Sequence, residues 1–298
     1  NLLAFIGFGE AAFHIAKGLK SEGLNNIVAF DVNQNDLKMG PVIQKRAEEA
    51  KVKLTATLEE AYSASEFIAS LTSASIALSV ARPIMAKLVS GQTYIDMNAA
   101  APTIKSEISN LERADGVMFC DAAIMGTVPG NGHKVPMLLS GDGAKAFYCA
   151  FKELGMNLTD LNVPAGGSSA IKMFRSVFMK GLPQLVIESM LPAYEFGALD
   201  ALVDSLNNTI CGKSLEQIAD MLLGRTLVHA KRRSSEMKDV ITTLDSMGID
   251  SSMSKSAKKK LDQLAELHLA DRIGADGDVS FKEVIGLLSR LKTEDATV

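Results

Sequence analysis

Cysteine is scarce, no apolar run is long, and neither sign of charge dominates; each shortage removes a class of protein. The three cysteines, Cys120, Cys149 and Cys211, are odd in number and never spaced as C-x-x-C. That pattern argues against a disulfide framework or a structural zinc site and points to a reducing compartment. All three read as packing residues. The 31 basic and 35 acidic side chains leave a formal net charge of -4 spread along the chain, with no basic face for nucleic acid. No segment reaches the roughly 20 apolar residues that a membrane span requires. The apolar segment 2–6 has no basic run before it and no small-residue cleavage site after it, so it does not read as a signal peptide. Internal repeats and low-complexity tracts are missing too. The expectation is a cytoplasmic protein whose partner is a small molecule. With 298 residues, 47% of them hydrophobic, the chain can build two domains or one large one.

What the sequence does contain is alternation. Up to about residue 163, strand-length apolar runs at 2–6, 27–30, 67–71, 93–97, 117–123, 135–139 and 157–161 alternate with helical patterns at 11–20, 41–50, 74–89, 102–113 and 144–154. Buried strands separated by amphipathic helices demand a parallel sheet covered on both faces. From Gly167 onward only long helical patterns remain. The predicted fold is therefore α/β: a Rossmann domain with a doubly wound, mainly parallel sheet over 1–164, then an all-α domain over 165–298. Pro183 and Pro192 predict a kink near Gly181 or a break near Leu191.

The first strand runs directly into Gly7-Phe8-Gly9-Glu10-Ala11-Ala12, a G-x-G-x-x-A form of the dinucleotide fingerprint. Gly7 allows the tight turn, Gly9 lets backbone approach a pyrophosphate, and Ala12 lets the helix pack closely on the sheet. The amides at that helix start carry a partial charge of roughly +0.5 toward the phosphates. The second strand ends at Asp31, 22 residues after Gly9. An acid there can accept both ribose hydroxyls of NAD and would repel a 2′-phosphate. The following Val32-Asn33-Gln34-Asn35 offers no arginine for NADP, so of the two cofactors, NAD or NADP, the sequence favours NAD. The alternative is that Asp31 caps the next turn. Leu71-Thr72-Ser73 and Asn98 fall at the carboxyl ends of further strands, where ligands bind in this architecture. Asn98 reads either as a partner of the nicotinamide ribose or as a plain turn residue.

In the segment Gly166–Lys172 two glycines precede a helix start with a single lysine among Ile171, Met173, Phe174, Val177 and Phe178. At helical spacing Ser169, Lys172, Ser176 and Met179 share one face. Burial lowers a lysine pKa, and a lysine near neutrality can take a proton from a hydroxyl while hydride leaves the same carbon. The bland alternative is a lysine snorkelling to water.

These motifs resemble the β-hydroxyacid dehydrogenase superfamily, to which 6-phosphogluconate and 3-hydroxyisobutyrate dehydrogenases belong. The resemblance covers most of the chain. Gly7–Ala12 is similar to the family's opening fingerprint, Asp121-Ala122-Ala123-Ile124-Met125-Gly126 to its DAPVSGG substrate motif, and Gly167–Ser176 to its G…K…N segment. The resemblance implies that Lys172 is the general acid/base, that Met125, Gly126 and Thr127 hold the substrate, and that Lys238, in a Lys-Asp pair, lies near the nicotinamide. It also implies a homodimer built on the helical half. Met125 stands where the family has a serine, Thr127 where it has a second glycine, and Ser176 where it has an asparagine. The substrate pocket has been rebuilt, and Ser176 and Met179 replace the asparagine and glutamate that follow the lysine in genuine 6-phosphogluconate dehydrogenases. Imine reductases of the same architecture usually lack the lysine.

His229, Arg232, Arg233 and Glu236 recur one helical turn apart, either as an anion-binding edge that touches substrate or as a solvated face with salt bridges. His133 and Lys134 follow a glycine-rich loop and are weaker candidates for substrate contact. No metal site is visible. Asp276-Gly277-Asp278 resembles half of an EF-hand loop, but Arg272 and Gly274 occupy the first and third ligand positions, which rejects that reading. The expected function is hydride transfer between NAD(P) and a small hydroxy acid or related alcohol or carbonyl compound. The alternatives are an imine or enamine reductase and a cofactor-binding protein without turnover.

Overall fold

A computed structural model of the chain describes residues 2–274 and 277–295. The first half alternates as the periodicity requires: β1 (Leu3–Ile6), α1 (Glu10–Ser21), β2 (Ile27–Phe30), α2 (Gly40–Glu49), β3 (Lys53–Leu54), α3 (Leu58–Ser63), β4 (Phe67–Ser70), α4 (Ala77–Met85), β5 (Thr93–Asp96), α5 (Pro102–Ser109), β6 (Met118–Ile124), β7 (Met137–Ser140), α6 (Ala144–Phe151) and β8 (Leu158–Asp160). The strands form one sheet in the order β3-β2-β1-β4-β5-β6-β7-β8. Every neighbouring pair is parallel except β6 and β7. The fold is the doubly wound α/β class.

The two faces of the sheet carry separate cores. Phe5, Ile95, Cys120 and Leu139 pack with α1 and α6 residues such as Ile15 and Phe147. On the opposite face Ile68, Tyr94 and Phe119 pack with Ala81, Ile84 and Ile108 of α4 and α5. Burial on both faces explains why the central strands read as continuous apolar runs. Toward their ends, that second face becomes polar. Ser70 pairs with Asp96, Asp96 with Asp121, and Asp121 with Ser140, so one row of polar side chains crosses four strands.

Two small elements were not predicted. β3 is a two-residue strand paired only with β2, too short to show periodicity. α3 begins at Thr57, whose hydroxyl accepts the Glu60 amide at 3.1 Å while the Glu60 carboxylate accepts the Ala56 amide at 3.0 Å, a close relative of the capping box.

The remaining helices are α7 (Gly167–Glu195), α8 (Leu199–Ile210), α9 (Leu215–Val228), α10 (Ala230–Ser246), α11 (Ser252–Glu266), α12 (Ala270–Ile273) and α13 (Phe281–Asp295). Among the described residues no strand follows β8. Residues 1–177 and 178–298 form two compact units, the division falling within α7. The break predicted at Leu191 does not occur: α7 runs for 29 residues through both Pro183 and Pro192. Each proline deletes one intrahelical rung, but the rungs on either side remain. The helix stops instead at Gly197, in a left-handed conformation (φ 69°), where the Ala198 amide returns to the Ala193 carbonyl at 2.8 Å. In the second unit Leu227, Leu269, Val284 and Leu287 form a small core, and the Glu188 carboxylate caps α11 by accepting the Met253 and Ser254 amides at 2.8 and 2.7 Å.

Candidate active site and cofactor cleft

β1 ends by turning at Gly7, and two constraints require glycine there. Its φ is +86°, and a Cβ would stand 2.3 Å from the Leu71 carbonyl oxygen. Gly9 is glycine for a different reason. It precedes α1 in extended conformation, and a Cβ on it would meet no atom within 4 Å. That space belongs to a cleft of about 650 Å³ lined by Gly7, Gly9, Asp31, Leu71, Thr72 and Ser73, among others. The first intrahelical bond of α1 is Phe13 amide to Gly9 carbonyl at 3.0 Å, so the amides of Glu10, Ala11 and Ala12 have no acceptor within the helix. Open space against unsatisfied amides at a helix start fits a dinucleotide pyrophosphate.

Phe8 contributes only backbone to this region, because its side chain is fully buried in the core. Its amide is held by Asp31 Oδ2 at 2.8 Å, while Asp31 Oδ1 accepts the Asn33 amide at 2.9 Å. Asp31 therefore ties the glycine loop to the end of β2, and each oxygen retains a lone pair for a hydroxyl. Asn98 is buried and ties β4 to β5: its Oδ1 accepts the Thr72 amide at 2.6 Å, and its Nδ2 donates to Ser70 Oγ at 3.1 Å. It holds the Leu71-Thr72-Ser73 wall of the cleft in place.

The polar row on the sheet surrounds a buried cation that the sequence reading had not singled out. Lys105 of α5 is fully buried, its Nζ 2.8 Å from Asp96 Oδ1 and 3.1 Å from Asp121 Oδ1. Asp121 also receives α7. Its Oδ1 accepts the Ser169 hydroxyl at 2.7 Å, its Oδ2 accepts the Ser169 amide at 3.1 Å, and its carbonyl accepts the Ser168 hydroxyl at 2.8 Å. Ser140 Oγ accepts the Ser168 amide at 3.1 Å. The Ser168 and Ser169 amides of the first turn of α7 are thus capped from β7 and β6, while the Gly167 amide bonds the Pro164 carbonyl at 3.1 Å.

One turn further along α7, Lys172 is half-buried. Burial and the neighbouring Lys105 charge hold its amine below the ordinary lysine pKa, with Asp121 pulling the other way. Ser176 is also half-buried, and its hydroxyl donates to the Lys172 carbonyl at 3.2 Å. Met125 follows β6, with its amide committed to the Pro136 carbonyl at 2.8 Å, whereas Gly126 and Thr127 are exposed.

The other residues singled out in the sequence lie elsewhere. His229 and Lys238 belong to the second unit, both exposed, His229 at the junction of α9 and α10 and Lys238 on α10. Near them Arg232 pairs with Glu236, and Arg233 donates to Thr226 Oγ1 at 3.0 Å. His133 is buried against α1, close enough that a Cβ on Gly18 would stand 2.0 Å from its Nδ1, and Lys134 pairs with Glu22 at 3.1 Å. Of the cysteines only Cys120 is a packing residue, while Cys149 and Cys211 are exposed, which corrects the expectation for those two. Asp276, from the rejected EF-hand reading, lies outside the described residues. Among the described residues no helix is long and apolar enough to cross a membrane.

The signals for the missed cluster were present. Asp96 closes one apolar strand run and Asp121 interrupts the next, and Lys105 shares a helical face with Ile108. Two acids facing each other in a sheet core call for a cation.

The sheet, the glycine turn and the acid at the end of β2 define a dinucleotide-binding α/β protein. Residues 2–160 match the family described as the NAD binding domain of 6-phosphogluconate dehydrogenase, and the chain belongs to that family, within the β-hydroxyacid dehydrogenase superfamily. Residues 193–264 match a domain of unknown function, DUF1932. A conserved hypothetical protein from Sinorhizobium meliloti is 30% identical, with 97% of this chain and 96% of that one covered and a TM-score of 0.65. A second conserved protein, whose structure revealed similarity with 3-hydroxyacid dehydrogenases, is 30% identical over 90% of this chain and 98% of its own, with a TM-score of 0.64. An imine reductase from Aspergillus terreus shares the fold at 17% identity, covering 96% of this chain and 98% of its own, with a TM-score of 0.68.

Proposed function

We propose that the chain is an NAD(P)-dependent oxidoreductase that moves hydride between nicotinamide and the carbinol carbon of a small hydroxy acid or related alcohol or carbonyl compound, with Lys172 as general acid/base. The observation that carries this reading is the half-buried Lys172 amine, shifted toward neutrality by desolvation and Lys105, one turn after the serine that Asp121 anchors. The bound cofactor supplies or accepts the hydride. Lys172, neutral, takes the proton from the substrate hydroxyl, and in the reverse direction its ammonium returns a proton to the forming alkoxide. The exposed Gly126 and Thr127 offer amides to the substrate's polar end, a role the Met125 amide does not share because Pro136 holds it.

The Asp31 carboxylate at the cleft favours NAD over NADP. The functional division falls at 164/165, just ahead of the helix that carries Lys172. Exposed apolar side chains on and just beyond α7, including Phe174, Val177, Tyr194 and Phe196, support a homodimer through the helical half. His229 and Lys238 would then contribute to substrate or nicotinamide contact in the assembled enzyme.

The test is a fluorescence titration with NADH and NADPH followed by a screen of 2- and 3-hydroxy acids with wild type and Lys172→Ala. Turnover abolished in the variant, with cofactor binding intact, supports the lysine mechanism. Reduction of cyclic imines that survives Lys172→Ala replaces it with an imine reductase.

A further inference from the structure

Lysines are almost never fully buried unless paired, and Lys105 has none of its side chain exposed. Its three N–H donors face three acceptors: the Asp96 carbonyl at 2.9 Å, Asp96 Oδ1 at 2.8 Å and Asp121 Oδ1 at 3.1 Å. Nothing remains for a substrate, so Lys105 is not a catalytic residue. Nor does stability explain it, since a buried ion cluster is often no more stabilising than apolar side chains of the same volume. Its specific effect is on geometry. Asp96 and Asp121 are register partners on adjacent strands. Without a cation between them, two carboxylates would face each other away from solvent, and their repulsion would pull Asp121 against the hydrogen bonds by which both its oxygens meet Ser169.

We propose that Lys105 is a positioning residue for Lys172. By fixing the Asp121 carboxylate, it fixes the first turn of α7 and with it the place and charge environment of the Lys172 amine. The inference rests on Lys172 being the proton-transfer group. The charged groups that act on that amine are Lys105 from α5 and Asp121 from β6, opposite in sign. Removing Lys105 leaves Asp121 unopposed, so the proton affinity of Lys172 rises.

The experiment reads Lys172 without relying on turnover. The full chain is acylated with acetic anhydride across a pH series, and modification at Lys172 is quantified by peptide mass spectrometry, with exposed Lys45 as the reference. Two variants are compared with wild type. Lys105→Met removes the cation. Asp96→Asn combined with Lys105→Met also removes it but keeps the formal charge of the cluster and leaves a single buried carboxylate, so the protein need not fold around two unpaired acids. The labelling midpoint of Lys172 is expected to rise in both, with Lys45 unchanged. An unchanged midpoint in the folded double variant overturns the inference. Turnover of Lys172→Ala is scored separately: if it persists, the proton-transfer reading fails, while a shifted midpoint still assigns control of the Lys172 amine to Lys105.

Discussion

Asp121 holds Ser169 twice, taking its hydroxyl on one carboxylate oxygen at 2.7 Å and its amide on the other at 3.1 Å. A mid-strand carboxylate of β6 thereby acts as the cap of a helix that begins 46 residues later in the chain. Cap and catalytic candidate are one turn apart on α7, so whatever loosens the cap reaches Lys172.

Asp121→Ala should therefore be costly. It strips a fully buried lysine of one acceptor and the first turn of α7 of its cap; an unsatisfied buried donor costs about 1–3 kcal/mol and a lost cap about 0.5–2 kcal/mol. Urea unfolding should show a lower midpoint at unchanged m-value. Stability within about 0.5 kcal/mol of wild type would show that the cluster relaxes without it.

Gly7 and Gly9 should respond differently to the same substitution. Gly7→Ala adds a methyl 2.3 Å from the Leu71 carbonyl oxygen at a φ of +86°, so the protein should lose about 1–3 kcal/mol of stability. Gly9→Ala meets no protein atom within 4 Å. Its melting temperature should hold within a degree or two, while NADH affinity falls at least about tenfold because the methyl occupies the pyrophosphate approach. Thermal denaturation and fluorescence titration on the two variants separate the effects.

The pH profile has a defined sign. Oxidation of an alcohol requires neutral Lys172, whose pKa lies below the ordinary 10.5 because of burial and Lys105. In that direction kcat/KM should fall as pH drops through the lowered pKa. Carbonyl reduction should show the opposite slope over the same window. A flat profile in both directions, measured with saturating cofactor, would exclude a proton transfer at this amine.

Asp31→Asn and Asp31→Ser probe two roles of one side chain. The asparagine retains an acceptor for the Phe8 amide, now bonded at 2.8 Å, but loses the charge. NADPH should gain on NADH by about tenfold, chiefly through relief of repulsion. The shorter serine also releases the glycine loop, so both cofactors should bind more weakly than in the asparagine variant. Equal affinities across the three proteins would place the adenosine ribose away from Asp31.

Much of this was legible in the sequence, and the reasons differ by element. β2 spans 27–30 as its apolar run predicts, and the Gly7–Ala12 turn follows β1 because glycine requirements are local. β3 escaped notice because two residues carry no period. Of the two outcomes the prolines of α7 predict, the break at Leu191 does not occur, because α7 is long and loses only one rung at each. Lys105 was hidden by its type: on a helix a lysine reads as solvated, and only the register that sets Asp96 beside Asp121 overrides that default. Register is a property of paired strands and has no signature in either strand alone.

The Asp96–Lys105–Asp121 cluster also has a history implied in its energetics. Loss of Lys105 buries two acids without their cation, at about 3–5 kcal/mol against a total stability of about 5–15 kcal/mol, and loss of either acid takes an acceptor from a fully buried lysine. No lineage could readily gain or discard the three residues one at a time. They form an epistatic unit, expected to be inherited together or replaced together, and an alignment of relatives should show the three positions changing in concert.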